Sequence, residues 1–378
     1  MTTSRAEQLL DLGQSVWLDF IRRGHLISGE FDRMLREDGV VGVTSNPTIF
    51  QLAIAQSRDY DAALMERLAG GLQGASLFES LAVEDIQMAC DHLRPAFDRT
   101  GGRDGRVSIE VNPHLAHDTA GTLAEARRLR AAVGRDNVMI KVPATAAGVP
   151  AFRTLTAEGL SVNVTLIFSL ARYHQVLEAY LAGLEQRDAS GQSLAGIQSV
   201  ASFFVSRVDS RIDPELEAVA ARLAPGSPAR AEIEGLKGRA AVANARLAYA
   251  HFRAMTDAPR FTALRARGAQ PQRPLWASTS TKNPAYRDVI YVEELIGRDT
   301  VNTMPPQTLA AFNDHGVVEA RIERDLEGAA ALFGRLSAVG VAAEALIDEL
   351  EPQGVLAFSR SFDQLLEALE SKRRELVV

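Results

Sequence analysis

Eight short apolar, largely β-branched runs recur along the chain with helix-like segments between them, and this alternation constrains the fold more than any other feature. The runs are SVWLDF (15–20), VVGVTSN (40–46), RVSIEVN (106–112), VMIKVPA (138–144), SVNVTLIF (161–168), SVASFFVSRV (199–208), PLWASTST (274–281) and TVNTMPP (300–306). Continuous apolar runs of this length suit strands buried on both faces, as in a parallel sheet sheathed by helices. The intervening segments carry helical periodicity. HDTAGTLAEARRLRAAVG precedes the fourth run, and SLARYHQVLEAYLAGLEQRD follows the fifth with Ser169 as its N-cap. Eight such units predict an α/β fold, a (β/α)8 TIM barrel. A doubly wound sheet is the alternative, but no G-x-G-x-x-G follows a strand and the glycines of GGLQGAS (70–76) fall in a helical stretch. The first run could instead continue a helix from SRAEQLL.

The 378 residues read as one elaborated domain (1–378), with helical insertions near 50–105 and 210–273 and an all-helical segment after Pro306. With 46% hydrophobic and 24% charged residues, a large core is available and wholesale disorder is excluded. The net charge of -7 comes without a basic tract, which argues against nucleic acid as a partner. A phosphorylated ligand would have to be captured by a few placed cations. A single cysteine, Cys90, rules out an intramolecular disulfide and a cysteine metal cluster. The N-terminal segment lacks the pattern of a signal peptide, and no apolar run approaches the ~18 residues of a membrane span. The expectation is a soluble, cytoplasmic protein, as homodimer or monomer.

Barrel sites are built where strands run into the loops that follow them. The polar residues there are Asp19, Asn46, Glu110, Lys141, Asn163, Thr165, Ser202, Arg207, Ser278, Ser280 and Lys282. Lys141 stands out, because the chain has only four lysines (141, 237, 282 and 372) and uses arginine elsewhere for positive charge. An ordinary lysine is about 0.04% free amine at pH 7. Burial disfavours the ammonium and yields a nucleophile for carbonyl carbon. The plainer reading is a structural pair with Glu110 or Asp19. Two carboxylates fit Schiff-base chemistry, which moves protons at more than one step. His114, His117 and Asp118 have a spacing that could bind metal, but NPHLAHD reads better as a strand-to-helix loop with Asp118 near an N-cap. No cofactor or metal is expected.

GVTSNPTIF (42–50), VMIKVPAT (138–145), SVNVTLIFS (161–169) and ASFFVSRVDSRID (201–213) resemble the signatures of the transaldolase family. STSTKNPAYRDVIYVEELIGRDTVNTMPPQTL (278–309) is similar to its longer bacterial branch. The resemblance implies a (β/α)8 barrel that moves a dihydroxyacetone unit between sugar phosphates of the pentose phosphate pathway. It makes Lys141 the Schiff-base lysine and Asp19 the acid/base of carbon–carbon cleavage. Glu110 would assist carbinolamine dehydration through a water held by Thr165. Asn46 and Asn163 would hold the dihydroxyacetone hydroxyls, Ser202 and Arg207 the phosphate, and Phe204 would be the active-site aromatic. Many relatives supply a second phosphate-binding arginine after the seventh strand; here Lys282 is the nearest cation, with Arg287 behind it. A simple aldolase, a pyridoxal-phosphate barrel and a non-catalytic sugar-phosphate-binding barrel are the rival readings.

Overall fold

The structure is a computed structural model that describes residues 3–376. All eight expected strands are present: β1 (Gln14–Leu18), β2 (Val40–Val43), β3 (Arg106–Glu110), β4 (Val138–Pro143), β5 (Val162–Ile167), β6 (Ser199–Phe204), β7 (Arg273–Ala277) and β8 (Thr300–Met304). They close in chain order into a parallel barrel, with β1 pairing β8 from Gln14↔Thr300 to Leu18↔Met304. Helices cover the outside, so the strands are buried on both faces and read as unbroken apolar runs. The fold is the expected (β/α)8 barrel. The helix Arg5–Asp11 ends before β1 begins, so the first run is a strand.

Several strands stop earlier than the apolar runs do. β6 ends at Phe204 and a helix, Ser206–Ala220, starts at once, which moves Arg207 from a strand to a helix's first turn. β7 ends at Ala277; Ser278 then takes a left-handed backbone (φ 56), and Ser280 and Lys282 follow in a loop. Val205, Ser206 and Val208 past the end of β6, and Thr279 past that of β7, remain buried, so the buried pattern outlasts the strand. Asp118 and Ser169 cap their helices, accepting from Gly121 N at 2.9 Å and Arg172 N at 3.3 Å.

The segment near 50–105 contains the helices Pro47–Ala55, Asp61–Ala69 and Gly74–Arg99, with Gly70 and Gly71 in the turn between the last two instead of inside a helix. The segment near 210–273 adds Pro228–Glu234, Ala240–Asp257 and Pro259–Arg265. Beyond Pro305 the chain is helical, ending in Leu350–Leu376. This closing helix returns across the barrel mouth, where Thr48 donates to Ser361 Oγ at 2.8 Å. Its apolar stripe, Val355, Phe358, Phe362, Leu365 and Leu369, is buried. No single helix among the described residues is long and apolar enough to cross a membrane.

Candidate active site

A cavity of about 610 Å³ opens at the C-terminal ends of the strands. Asp19, Asn46, Lys141, Thr165, Ser202, Phe204, Arg207 and Lys282 all line it. Register explains the centre of the site. In-register partners of a parallel sheet face the same side, and β3, β4 and β5 align Glu110, Lys141 and Asn163 in one row. Only the long lysine reaches up from that row into the cavity.

Lys141 Nζ lies 3.2 Å from Glu110 Oε2 and donates to Ser45 O at 3.1 Å. Both members of the ion pair are deeply enclosed, with side-chain exposures of 5% and 6%. Burial pushes the Glu110 carboxyl above the usual carboxylate range, against the pull of the Lys141 charge. Its Oε2 makes no well-aligned hydrogen bond despite the short contact, and the buried Thr165 Oγ1 has no partner among the described residues. Unpaired buried oxygens are costly and mark places where a further donor belongs.

Asp19 follows directly on β1. Burial raises its pKa, while Lys141, a hydrogen bond from Thr44 and the more distant Lys282 oppose the rise. Thr44 donates to Asp19 Oδ1 at 2.7 Å and stands 2.7 Å from Thr303 Oγ1. With the Thr44 proton committed to Asp19, Thr303 is the donor in the second bond. Asn46 caps the helix Pro47–Ala55 by accepting from Ile49 N at 2.9 Å, which fixes its side chain at the cavity edge and leaves its amide NH₂ for a ligand.

Asn163 is not among the residues that line the cavity. It is fully buried below the cavity wall, donating to Ser108 Oγ at 3.1 Å and accepting from Ser202 Oγ at 2.7 Å. Its short side chain stops at the level where that of Lys141 continues upward. Glu110 also lies behind the main cavity and lines a second one of about 310 Å³, beneath Phe50, Phe78 and Phe362.

Cations mark the outer end. The Arg207 guanidinium lies over the Phe204 ring, 5.3 Å from its centroid, and Phe204 packs on Phe168 at 5.1 Å. It makes no hydrogen bond or ion pair among the described residues, and burial alone pulls its pKa down. Lys282 donates to Ser280 Oγ at 2.6 Å; burial and the like charge of Arg207 depress its pKa. Two cations lining one cavity, neither of them in an ion pair among the described residues, suit phosphate. Arg287, the alternative, is bound by Glu293 at 2.8 and 2.9 Å and does not line the cavity. The loop carrying Lys282 is pinned by Tyr286, which donates to Asp213 Oδ2 at 2.7 Å, while Gly238 N donates to Asp213 Oδ1 at 3.0 Å. Gly238 has φ +69, and a β-carbon there would stand 2.7 Å from the Tyr286 ring. The 210–273 segment thus braces the outer end of the site.

Thr44, Thr303 and Phe358 also line the cavity, and the sequence pattern does not single them out. Thr44 and Thr303 lie inside the second and eighth runs, each one residue from the end of its strand, and a hydroxyl so placed is the available signal. Phe358 sits in an ordinary amphipathic stripe. His114 pairs with Asp363 at 2.8 Å, Asp118 caps its helix, and no three His, Cys, Asp or Glu side chains gather at metal-binding distance among the described residues.

The transaldolase/fructose-6-phosphate aldolase family matches residues 16–369. Transaldolase 1 of Streptomyces coelicolor is 48% identical over 369 residues, covering 97% of this chain and 94% of that protein. Transaldolase of Thermobifida fusca is 47% identical over 365 residues (96% and 97% of the two chains). Transaldolase 2 of Nostoc is 44% identical over 374 residues, or 98% of each. A barrel with one buried lysine between carboxylates, matched from end to end at this identity, belongs to the transaldolase/fructose-6-phosphate aldolase family.

Proposed function

We propose that the chain is a transaldolase, which carries a dihydroxyacetone unit from a ketose phosphate to an aldose phosphate through a Schiff base on Lys141. The observation that carries this reading is the Lys141 amine held 3.2 Å from Glu110 at the floor of a cavity whose far end presents Arg207 and Lys282. A lysine and two cations lining one cavity suit a sugar phosphate bound by its carbonyl to the first and its phosphate to the others.

The chemistry follows from the positions. Glu110, already inclined toward the neutral form, takes a proton from Lys141, and the free amine adds to the ketose C2 carbonyl. Loss of water from the carbinolamine needs a proton at the departing hydroxyl. Glu110 delivers it through a water held at the otherwise unpaired Glu110 Oε2 and Thr165 Oγ1. The resulting iminium is an electron sink. Asp19 accepts the C4 hydroxyl proton, the C3–C4 bond breaks, and the aldose phosphate leaves while three carbons stay on Lys141 as an enamine. Asn46 and Asn163 hold its hydroxyls, with Ser202 linking Asn163 to the cavity. An acceptor aldehyde then takes the enamine carbon, Asp19 returns its proton, and hydrolysis frees the new ketose.

The test is borohydride reduction with fructose 6-phosphate followed by peptide mapping. A three-carbon adduct is expected on Lys141 alone; a label on Lys237, Lys282 or Lys372 would overturn the assignment.

A further inference from the structure

The closing helix does more than complete the barrel's shell. The Phe358 ring centroid lies 5.6 Å from Lys141 Nζ, and the residue is only 5% exposed while lining the catalytic cavity. One helical turn earlier stands Gly354, where a β-carbon would come within 2.9 Å of Leu166 Cδ2 and 3.6 Å of Phe168 Cε2. Residues four apart share a helix face, so the bare backbone at Gly354 lets the helix settle on the end of β5 and brings Phe358 down over the lysine. Leu166 itself adopts a left-handed backbone, φ 60, directly after Thr165. The helix is fastened along its length, by Arg172 to Glu351 at 2.9 Å, Thr48 to Ser361 at 2.8 Å and Lys372 to Asp61 at 2.8 Å.

We propose that Phe358 shields the Schiff base from water and so sets how much of the three-carbon enamine is transferred to an aldehyde and how much is lost as free dihydroxyacetone. This rests on the Lys141 reading above. The enamine faces two fates. Attack on an acceptor aldehyde forms a carbon–carbon bond. Protonation of the same carbon forms a C–H bond and an iminium, which water then cleaves to dihydroxyacetone and the lysine amine, so that one water is consumed in all. Transfer also ends in hydrolysis of an iminium, so the two fates divide at the protonation step, which needs water or another acid beside the enamine on Lys141. The ring occupies that space, carries no proton to give, and presents its face to the iminium charge.

The full-length protein tests this with fructose 6-phosphate as donor and erythrose 4-phosphate as acceptor. The readout is the ratio of free dihydroxyacetone released to sedoheptulose 7-phosphate formed. Phe358→Ala is expected to raise that ratio about tenfold while borohydride trapping on Lys141 persists. Phe358→Leu, which keeps most of the bulk, should fall between it and the parent chain and decides the matter if circular dichroism shows that the alanine variant is unfolded. Release and transfer falling together at an unchanged ratio, in the folded variants, would overturn the shield. If the parent chain shows no adduct on Lys141, the Schiff-base reading fails instead, and the two failures are distinct.

Discussion

The barrel buries one ion pair near each end, and the two pairs are finished differently. At the strand starts, Arg273 Nη1 donates to Ser15 Oγ at 2.7 Å, and its Nη2 reaches Asp104 Oδ1 at 3.0 Å and Arg103 O at 2.7 Å. Ser15 in turn donates to the other Asp104 oxygen at 3.0 Å, which leaves only Arg273 Nε without a partner. At the strand ends, Lys141 and Glu110 are as deeply buried, yet Glu110 Oε2 and Thr165 Oγ1 remain unpaired and the lysine faces a cavity. Burial is equal; saturation is not. A charged cluster that consumes its own donors is a structural tie, and one that leaves oxygens open beside a cavity has retained capacity for a ligand.

The largest expected contrast tests that difference directly. Lys141→Met should abolish turnover and borohydride trapping while the protein stays folded, because Glu110, with its raised pKa, can take up a proton and remain buried as a neutral acid. Arg273→Met strands Asp104 without its cation, and breaking a buried pair in this way costs ~3–5 kcal/mol of stability. Whatever folded Arg273→Met protein survives should still trap the donor on Lys141. Denaturant unfolding and trapping on both variants provide the measurement. Equal stability losses would erase the distinction between the two ends.

Much of this contrast is legible in the amino-acid sequence itself. The eight strands stand out because both faces of each are buried, and Lys141 because lysine is so scarce in the chain. Arg207 marks one limit. SVASFFVSRV continues the pattern of a buried strand, yet its last residues turn into a helix whose own buried face keeps them apolar; over four residues a period of 2 and one of 3.6 look alike. Asn163 marks a second. Alternation correctly turns it inward, but it cannot say how far a side chain reaches within a layered barrel interior. Phe358 gives no signal at all, since its contact with Lys141 joins segments far apart in sequence and depends on the missing side chain of Gly354.

Within the catalytic end, the two carboxylates should separate by step. Asp19→Ala should still form the donor adduct but transfer it slowly, whereas Glu110→Ala should slow adduct formation itself, each by ~10²–10⁴-fold for loss of a positioned proton carrier. Rapid-quench trapping distinguishes them, and equal trapping rates would remove the division. At the outer end, a hydrogen bond to a charged group contributes ~1.5–3 kcal/mol, so Arg207→Ala should lower kcat/KM for phosphorylated donors roughly 10–150-fold. With unphosphorylated fructose the loss should be much smaller. An equal fall for both donors would assign Arg207 to the fold or the chemistry.

The smallest effect concerns a carboxyl that is buried and saturated, like the cluster at the strand starts, yet sits on the same helix as Arg207. Asp209 accepts from Ala241 N at 2.8 Å and from Tyr291 Oη at 2.8 Å. Burial, with a contribution from the neighbouring Asp213, raises its pKa from the usual 3.8 to about 7. A carboxyl raised on folding contributes stability that is complete below its unfolded pKa and is lost as the pH climbs through the folded one. Between pH 6 and 8 the loss comes to about 1.4 kcal/mol, on the order of 1–3 °C in Tm for a chain of this length. Asp209→Asn cannot ionise, and its amide oxygen can still accept from Ala241 N. Its Tm should therefore fall less than that of the parent chain over this range, with transfer activity at pH 7 within about twofold, since a saturated carboxyl outside the cavity has no step to perform. Thermal melts at the two pH values decide the point: an unchanged pH dependence in the variant would show that Asp209 is ionised throughout, and that saturation by two donors outweighs burial at this position.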